Sequence, residues 1–286
     1  MNVFNPFEEL SDVPVQLVVG PMKAGTTWIH EYLMTRGDVC LPGGTKETFF
    51  YDRNFHRGRH WYRAHFRHAN TKYHRTLIEV APSYFPNEFA RRRIKETVSP
   101  RTILVCVREP VARAWSHFLH MKRYGYVRGG LDAALSSFPD IVNASRYSVG
   151  VQEWKLAFPG AEVALLPFET LKSDPNTFAR MLCLALRVPF KEVPSNLFTA
   201  RNEGGVAPSG FVASAARRAS GVLRGARLYK LIDTAKALGA HRLAYGRSGS
   251  PNAGISFEDR QLLDAALEEE RVWYADFMHS DRRFTS

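Results

Sequence analysis

The first candidate for chemistry is a glycine-rich stretch near the N-terminus, GPMKAGTTW, at residues 20–28. Gly20 and Gly25 have the spacing of the two glycines in a nucleotide-binding P-loop, whose motif is G-x-x-x-x-G-K-[ST]. The lysine, however, lies inside the loop at Lys23 and not directly after the second glycine. Such a loop can bind a phosphate through Lys23 and through backbone N–H groups, but it lacks the arrangement expected of a magnesium-dependent NTPase.

A second candidate is the stretch VREPVARAWSHF, at residues 107–118. Arg108 follows an apolar run, Pro110 suits the first turn of a helix, and Ser116 lies about two helical turns further on. A guanidinium at the end of a strand and a hydroxyl on the following helix could clamp a second phosphate. The alternative is an exposed strand-end arginine with an unrelated serine on a helix face.

These residues need elements that bring them together. Apolar runs predict strands at residues 15–20, 76–81 and 162–169 and one that ends near Val107, with helical patterns between them. This alternation predicts an α/β fold with three layers, α/β/α, around a central parallel sheet, similar to that of the P-loop NTPases. Ligands bind at the carboxyl ends of such strands, and the residues that follow three of them are candidates for a site.

The whole chain has 286 residues, 45% of them hydrophobic, and a formal net charge of +11. We expect a single domain over residues 1–286, and the basic balance favours an anionic partner. The three cysteines, Cys40, Cys106 and Cys183, lie beside apolar residues, which predicts reduced core thiols in a cytoplasmic protein. No apolar run is long enough for a transmembrane helix, and we expect neither a membrane span nor a signal peptide.

The last third of the chain differs in composition. Residues 202–254 are rich in glycine, serine, alanine and arginine, which predicts a basic, mobile lid over the site or, alternatively, an ordered basic surface. Residues 256–278 predict a C-terminal helix, with Ser256 as its N-cap.

Taken together, the motifs resemble those of the sulfotransferases that use 3'-phosphoadenosine-5'-phosphosulfate (PAPS). GPMKAGTTW resembles their 5'-phosphosulfate loop, and VREPVARAWSHF resembles their 3'-phosphate motif. The segment KETFFYDRNFHRGRHWYRAHF, at residues 46–66, resembles the segment that supplies a glutamate base in the heparan-sulfate-type and bacterial branch. The resemblance extends to about residue 194 and is weaker beyond it.

The resemblance implies roles for individual residues. Glu47 matches the general base, and Lys23 would neutralise the leaving group; no metal is required. Cosubstrate binding is implied for Lys23, Ala24, Gly25, Thr26, Thr27, Trp28, Arg108, Ser116, Arg201, Gly204 and Gly205. Acceptor binding is implied for Lys46, His56, Tyr84 and Tyr147. The cosubstrate is PAPS and the product is adenosine 3',5'-bisphosphate.

The acceptor stays open at this point. A hydroxyl or amine of a carbohydrate, a lipid or a secondary metabolite fits, and an anionic acceptor or one at a membrane surface suits the basic charge. Two other functions compete: a P-loop kinase or NTPase, and a basic nucleic-acid-binding protein. For the histidines at positions 56, 60, 65, 68 and 74 we expect packing and surface roles, with His56 and His60 nearest the acceptor, because they lack metal-ligand spacing.

Overall fold

The centre of the protein is a sheet of five parallel strands. The computed structural model describes residues 15–198 and 254–281. The strands are β1 (Val15–Gly20), β2 (Val39–Cys40), β3 (Thr76–Val80), β4 (Thr102–Val107) and β5 (Glu162–Pro167). Their order is β2-β3-β1-β4-β5, so the direction of winding reverses at β1. Open α/β sheets bind ligands at such a point, beyond the carboxyl ends of the strands.

Helices connect the strands and continue after them. They are α1 (Thr26–Met34), α2 (Gly58–Arg63), α3 (Glu88–Lys95), α4 (Pro110–Arg123), α5 (Leu131–Ser137), α6 (Asp140–Asn143), α7 (Tyr147–Ala157), α8 (Phe168–Ser173), α9 (Pro175–Ala185), α10 (Phe257–Ala266) and α11 (Glu268–Asp281). Tighter and wider turns also occur: a π-helical turn (Phe50–Asn54) and 3₁₀ turns (Phe55–Arg57, Ala64–Phe66 and Ser195–Leu197).

The sheet is covered on both faces, as its continuous apolar strands require. Leu17 of β1 packs in one core cluster with Ile94 of α3 and Trp154 of α7. Val18, the next residue of β1, packs in a second cluster with helices α1 and α9. Successive side chains of a strand point to opposite faces, so the two clusters lie on opposite sides of the sheet. The predicted three-layer α/β/α fold is confirmed.

The start of α4 is fixed by its own residues. Glu109 is the N-cap, and its carboxylate accepts hydrogen bonds from the N–H groups of Val111 (3.2 Å) and Ala112 (2.6 Å). Pro110 occupies the first turn, where its missing N–H group costs nothing. This cap ends β4 sharply and places Arg108 between the strand and the helix.

The C-terminal region departs from the prediction of one helix over residues 256–278. Ser256 is the N-cap as predicted, because its hydroxyl accepts a hydrogen bond from the N–H of Asp259 at 3.0 Å. However, Leu267 has φ −130° and ψ 20°, outside the helical region, and it separates α10 from α11. Leu267 is buried with Leu263 in a third core cluster against α4, and this packing accompanies the break.

Other predictions have different outcomes. The three cysteines are free and buried, as predicted for core thiols. Within residues 15–198 and 254–281, no helix is both long and apolar enough to cross a membrane. The predicted lid lies outside the described residues except for residue 254.

Candidate active site

The glycine loop needs its two glycines for conformational and steric reasons. Gly20 has φ +111° and Gly25 has φ +87°, values that favour glycine. A Cβ on Gly20 would lie 2.5 Å from the Cα of Pro82, and one on Gly25 would lie 2.9 Å from the ring of Phe168. The loop can therefore follow this path only with glycine at both positions, and it leads directly into α1.

Lys23 itself adopts a left-handed backbone conformation, with φ +71°. A lysine in this region costs of the order of 1 kcal/mol, and such strain persists where the surroundings hold it in place. Here the surroundings are two arginines. Arg108 donates from Nη1 to the carbonyl of Lys23 at 2.8 Å, and Arg113 donates from Nη1 to the carbonyl of Met22 at 3.3 Å. The two motifs found in the sequence are thus joined by direct contacts.

The electrostatics around Lys23 favour an anionic ligand. Burial, together with the nearby cations Arg108, Arg123, Lys46 and Arg113, lowers the pKa of Lys23 to about 8. Within the described part of the chain, Lys23 forms no ion pair with a carboxylate. A phosphate bound among these cations would supply negative charge that balances them.

Arg108 has spare hydrogen-bonding capacity. Its guanidinium lies over the ring of Phe168 at 4.9 Å, and burial lowers the pKa of Arg108, with Glu169 acting in the opposite direction. The Nε of Arg108 is buried and has no hydrogen-bond partner among the described residues. A buried donor without a partner is costly, so this atom is suited to an oxygen of a bound anion.

Lys46 connects the predicted base to the loop. Its Nζ donates to the Oε1 of Glu47 at 3.0 Å and to the hydroxyl of Thr27 at 3.3 Å. Thr27 lies in the first turn of α1, whose N-terminal N–H groups form an anion site. The contacts therefore place the Glu47 carboxylate at the edge of the glycine loop, although Thr27 and Glu47 are twenty residues apart in the sequence.

Several other predicted residues have their side chains used in packing. Ala24 and Thr26 are buried, so Ala24 offers a ligand only its backbone. Trp28 donates from its indole N–H to the carbonyl of Leu197 at 2.8 Å and stacks on Tyr32 at 5.4 Å. The prediction of Trp28 as a cosubstrate contact stays a prediction.

The remaining predicted site residues have no described contact with the glycine loop. Ser116 lies half-buried on α4, and its hydroxyl has no hydrogen bond to any residue that the structure describes. His56 is exposed in the turn Phe55–Arg57. The predictions for Arg201, Gly204 and Gly205 fall outside the described residues.

The prediction that Tyr84 and Tyr147 touch the acceptor is corrected. Both side chains are completely buried. The Tyr84 hydroxyl donates to Glu79 at 3.2 Å, and the Tyr147 hydroxyl accepts a hydrogen bond from the N–H of Arg108 at 3.3 Å. Because these hydroxyls are engaged inside the protein, the two tyrosines support site residues and do not face an acceptor.

The C-terminal helix α11 packs against Tyr147 and its neighbour Ser148. Trp273 stacks on Tyr147 at 5.9 Å, and Glu270 accepts hydrogen bonds from the N–H and the hydroxyl of Ser148 at 2.9 and 2.6 Å. Since the Tyr147 hydroxyl accepts a hydrogen bond from the backbone of Arg108, α11 supports the segment that carries Arg108. No local motif predicts this contact, because it joins segments that are distant in the chain.

Sequence reasoning also missed three ionisable groups beside the loop. Arg113 is fully buried and burial lowers its pKa to about 10. Burial lowers the pKa of His30 to about 4 and that of His120 to about 3, with Lys46 acting on both and Lys23 also on His120. Both imidazoles are therefore neutral near pH 7. The one available signal was the second arginine of the motif VREPVAR.

Both the packing role and the surface role predicted for the clustered histidines occur among them. His65 is buried, and its Nδ1 lies 3.1 Å from the carbonyl of Trp61. His60 is exposed, as is His56. Among residues 15–198 and 254–281, no three His, Cys, Asp or Glu side chains are placed to hold a metal ion.

The arrangement defines a class of protein. The sheet is parallel, the glycine loop lies at its switch point, and buried cations and the Glu47 carboxylate lie beside that loop. Such an arrangement is suited to binding an anionic group. A sulfotransferase-domain family model matches residues 14–197. The chain belongs to the sulfotransferase family.

Two relatives show how far the likeness extends. Human heparan sulfate glucosamine 3-O-sulfotransferase 6 is 32% identical over 175 residues, which cover 57% of this chain and 48% of the relative. Human bifunctional heparan sulfate N-deacetylase/N-sulfotransferase 3 is 25% identical over 184 residues, which cover 58% of this chain and 21% of the relative. The matched region thus spans about half of one relative and a fifth of the other.

A solved structure supports the fold. A sulfotransferase from Alicyclobacillus acidocaldarius superposes with a TM-score of 0.56 at 21% identity, covering 77% of this chain and 96% of its own. At this identity the likeness concerns the fold. The family membership favours sulfotransfer over the kinase and nucleic-acid-binding alternatives.

Proposed function

We propose that the protein transfers a sulfuryl group from PAPS to a hydroxyl or amine of an acceptor, with Glu47 as the general base. The observation that carries the proposal is the contact of Lys46 with both Glu47 (3.0 Å) and Thr27 (3.3 Å). It brings a carboxylate to the edge of an anion-binding loop, where the proton of an acceptor would have to leave. PAPS would supply the sulfuryl group.

The residues fit a ligand with two separate phosphate groups. The loop N–H groups and Lys23 would hold the phosphosulfate end. Without a ligand, four further cations around Lys23 disfavour its positive charge, and the negative phosphosulfate would offset this repulsion. Arg108, whose buried Nε has no partner among the described residues, would hold the 3'-phosphate together with Ser116. Adenosine 3',5'-bisphosphate, the product, has the same two phosphates.

Three residues would have separate roles in the transfer. Glu47 takes the proton from the acceptor oxygen or nitrogen, and Lys46 orients the Glu47 carboxylate through its 3.0 Å contact. Lys23 stabilises negative charge at the loop as it develops. We propose acceptors among carbohydrates, lipids and secondary metabolites, and the heparan sulfate acceptors named for the relatives make an anionic glycan the first to test.

The test is acceptor-dependent release of adenosine 3',5'-bisphosphate from PAPS, in buffer containing EDTA, with a panel of glycans, lipids and phenols. We expect release with at least one acceptor class and transfer of the sulfuryl mass to that acceptor. Absence of release with the whole panel, together with magnesium-dependent turnover of ATP, would support the kinase or NTPase alternative. Binding to nucleic acid with a steep salt dependence would support the alternative of a nucleic-acid-binding protein.

A further inference from the structure

A buried carboxyl group lies one layer behind the proposed base. Glu79 is the one charged residue of β3 and is 2% exposed. Three hydroxyls contact its carboxylate: those of Thr48, of Tyr62 at 2.8 Å and of Tyr84 at 3.2 Å. A buried charge is costly unless hydrogen bonds satisfy it, and here three donors offset part of that cost.

The donors come from three different segments. Tyr62 belongs to α2, Tyr84 follows β3, and Thr48 directly follows Glu47 in the chain. Glu79 therefore gathers the segments that lie around the end of β3. Thr48 is the donor that adjoins the proposed base.

Thr48 also holds the segment that follows it. Its hydroxyl accepts a hydrogen bond from the N–H of Phe50 at 3.1 Å, and its carbonyl accepts one from the Asn54 side chain at 2.9 Å. Phe49, which lies between Thr48 and Phe50, has φ +51°, a left-handed conformation that a phenylalanine adopts only under constraint. The path of residues 47–54 thus depends on Thr48, and Thr48 is anchored on Glu79.

The charge of Glu79 depends on burial and on the groups that face it. Burial raises the pKa of Glu79 to about 7, the three hydroxyls oppose that shift, and the Asp52 carboxylate adds to it. Tyr51 lies near Glu79 as well, in the same segment as Asp52. The ionised carboxylate can accept from all three hydroxyls at once, whereas the protonated form must itself donate.

We propose that Glu79 is a positioning residue, which fixes Thr48 and thereby the place of the Glu47 carboxylate beside the phosphate loop. The inference rests on the proposed function for the role of Glu47 as base. Glu79 touches neither cosubstrate nor acceptor in this account. An apolar residue would fill a strand interior at lower cost, so the charge is explained by what it holds.

Four variants test the proposal. Glu79→Leu removes both acceptor oxygens, Thr48→Val removes the hydroxyl, and the double variant removes both partners. Thr48→Ser restores the hydroxyl alone. Thr102→Val is the matched control, because Thr102 is an equally buried threonine whose hydroxyl donates to the Ala185 carbonyl at 3.2 Å, far from Glu47 in the chain.

The readouts are turnover of PAPS, the dissociation constant of adenosine 3',5'-bisphosphate, and hydrogen exchange of the peptide covering residues 47–54. We expect Glu79→Leu and Thr48→Val to lower turnover by about 10- to 100-fold, the effect of misplacing a catalytic group by about 1 Å. Nucleotide affinity should stay at the wild-type value, and exchange of the peptide should accelerate. Thr48→Ser and Thr102→Val should behave as wild type, and the double variant should be no worse than the poorer single variant.

Wild-type turnover in Thr48→Val would overturn the proposal, as would a loss of nucleotide affinity that parallels the loss of turnover. If the wild-type protein itself releases no product from PAPS, the proposed function fails and hydrogen exchange alone decides. Faster exchange of residues 47–54 in Glu79→Leu then supports the anchor, and unchanged exchange refutes it.

Discussion

The ends of β1 and β4 gather positive charge, whereas the end of β3 buries a negative one. At β1 and β4, Lys23 and Arg108 lie close together, and backbone carbonyls rather than carboxylates accept the hydrogen bonds that hold the loop. At β3, Glu79 is surrounded by hydroxyl donors. Both regions are largely buried, yet among the described residues Arg108 keeps a buried Nε without a hydrogen-bond partner, whereas both carboxylate oxygens of Glu79 accept hydrogen bonds.

The difference indicates what each region does. Cations that burial and mutual repulsion disfavour gain most from an anionic ligand, so the β1–β4 side is suited to binding. A carboxylate satisfied by three hydroxyls gains nothing from a ligand, so the β3 side is suited to holding neighbouring residues in place. Glu47 lies between the two, in contact with Lys46 and adjacent to Thr48.

The largest expected effect concerns the residue between the two regions. Glu47→Gln keeps the shape of the side chain but removes the proposed base, so turnover of PAPS should fall by about 100- to 10,000-fold. The affinity for adenosine 3',5'-bisphosphate should not fall. Steady-state kinetics and calorimetry check this, with the exposed Glu192→Gln as a control. Near-wild-type turnover in Glu47→Gln would assign the base to another residue.

The β3 side predicts a pH dependence of stability. The pKa of Glu79 is raised to about 7 from an ordinary 4.5, so its protonated form favours the folded state. This contribution is complete below pH 4.5 and is lost as the pH rises through about 7. Relative to Glu79→Gln, the unfolding free energy of the wild type should fall by up to about 3 kcal/mol over that range.

Denaturant titrations of both proteins across this range measure that difference. A constant difference between the wild type and Glu79→Gln would show that folding does not raise the pKa of Glu79. The three hydroxyls would then offset the whole cost of burying the Glu79 carboxylate.

The β1–β4 side predicts proton uptake on nucleotide binding. The pKa of Lys23 is about 8 without a ligand, and phosphates raise the pKa of a nearby amine. At about pH 8.5, adenosine 3',5'-bisphosphate should therefore bind together with a fraction of a proton. Calorimetry in buffers of different ionisation enthalpy measures it. Lys23→Arg retains the charge but does not titrate, so its uptake should vanish; equal uptake in both proteins would exclude Lys23 as the source.

The smallest predicted effect concerns the contact of Trp273 in α11 with Tyr147. Trp273→Ala removes the ring stacked on Tyr147, and stacked aromatic pairs contribute about 1 kcal/mol. The affinity for adenosine 3',5'-bisphosphate should fall by about 5-fold. The exposed neighbour Val272→Ala serves as the control. If both variants bind like the wild type, α11 does not contribute to the nucleotide site.

Much of the fold could be predicted because β1, β3, β4 and β5 are apolar runs of five or six residues. Strand β2 has two residues, too few to show a pattern. The irregular turns between residues 50 and 66 depend on contacts with other segments, among them the bond from Asn54 to Thr48. The break at Leu267 likewise follows from packing and carries no glycine or proline.

The site was predictable where a local motif carries it. Lys23 and Arg108 belong to motifs, and the structure joins them. The role of Glu79 was not predictable, because its partners come from three segments and its only local signal is an acidic residue within an apolar strand. Tyr84 and Tyr147 were misjudged because burial cannot be recognised from a motif.

The most direct test of the central claim needs no acceptor. Isothermal titration calorimetry compares adenosine 3',5'-bisphosphate with AMP, which lacks the 3'-phosphate, in the wild type and in Arg108→Ala. Two phosphate sites predict that the bisphosphate binds at least about 100-fold more tightly than AMP to the wild type, and that Arg108→Ala removes most of this preference. AMP binding should weaken much less, by the loss of the contact between Arg108 and the carbonyl of Lys23. Equal affinity of the wild type for the two nucleotides would contradict the account.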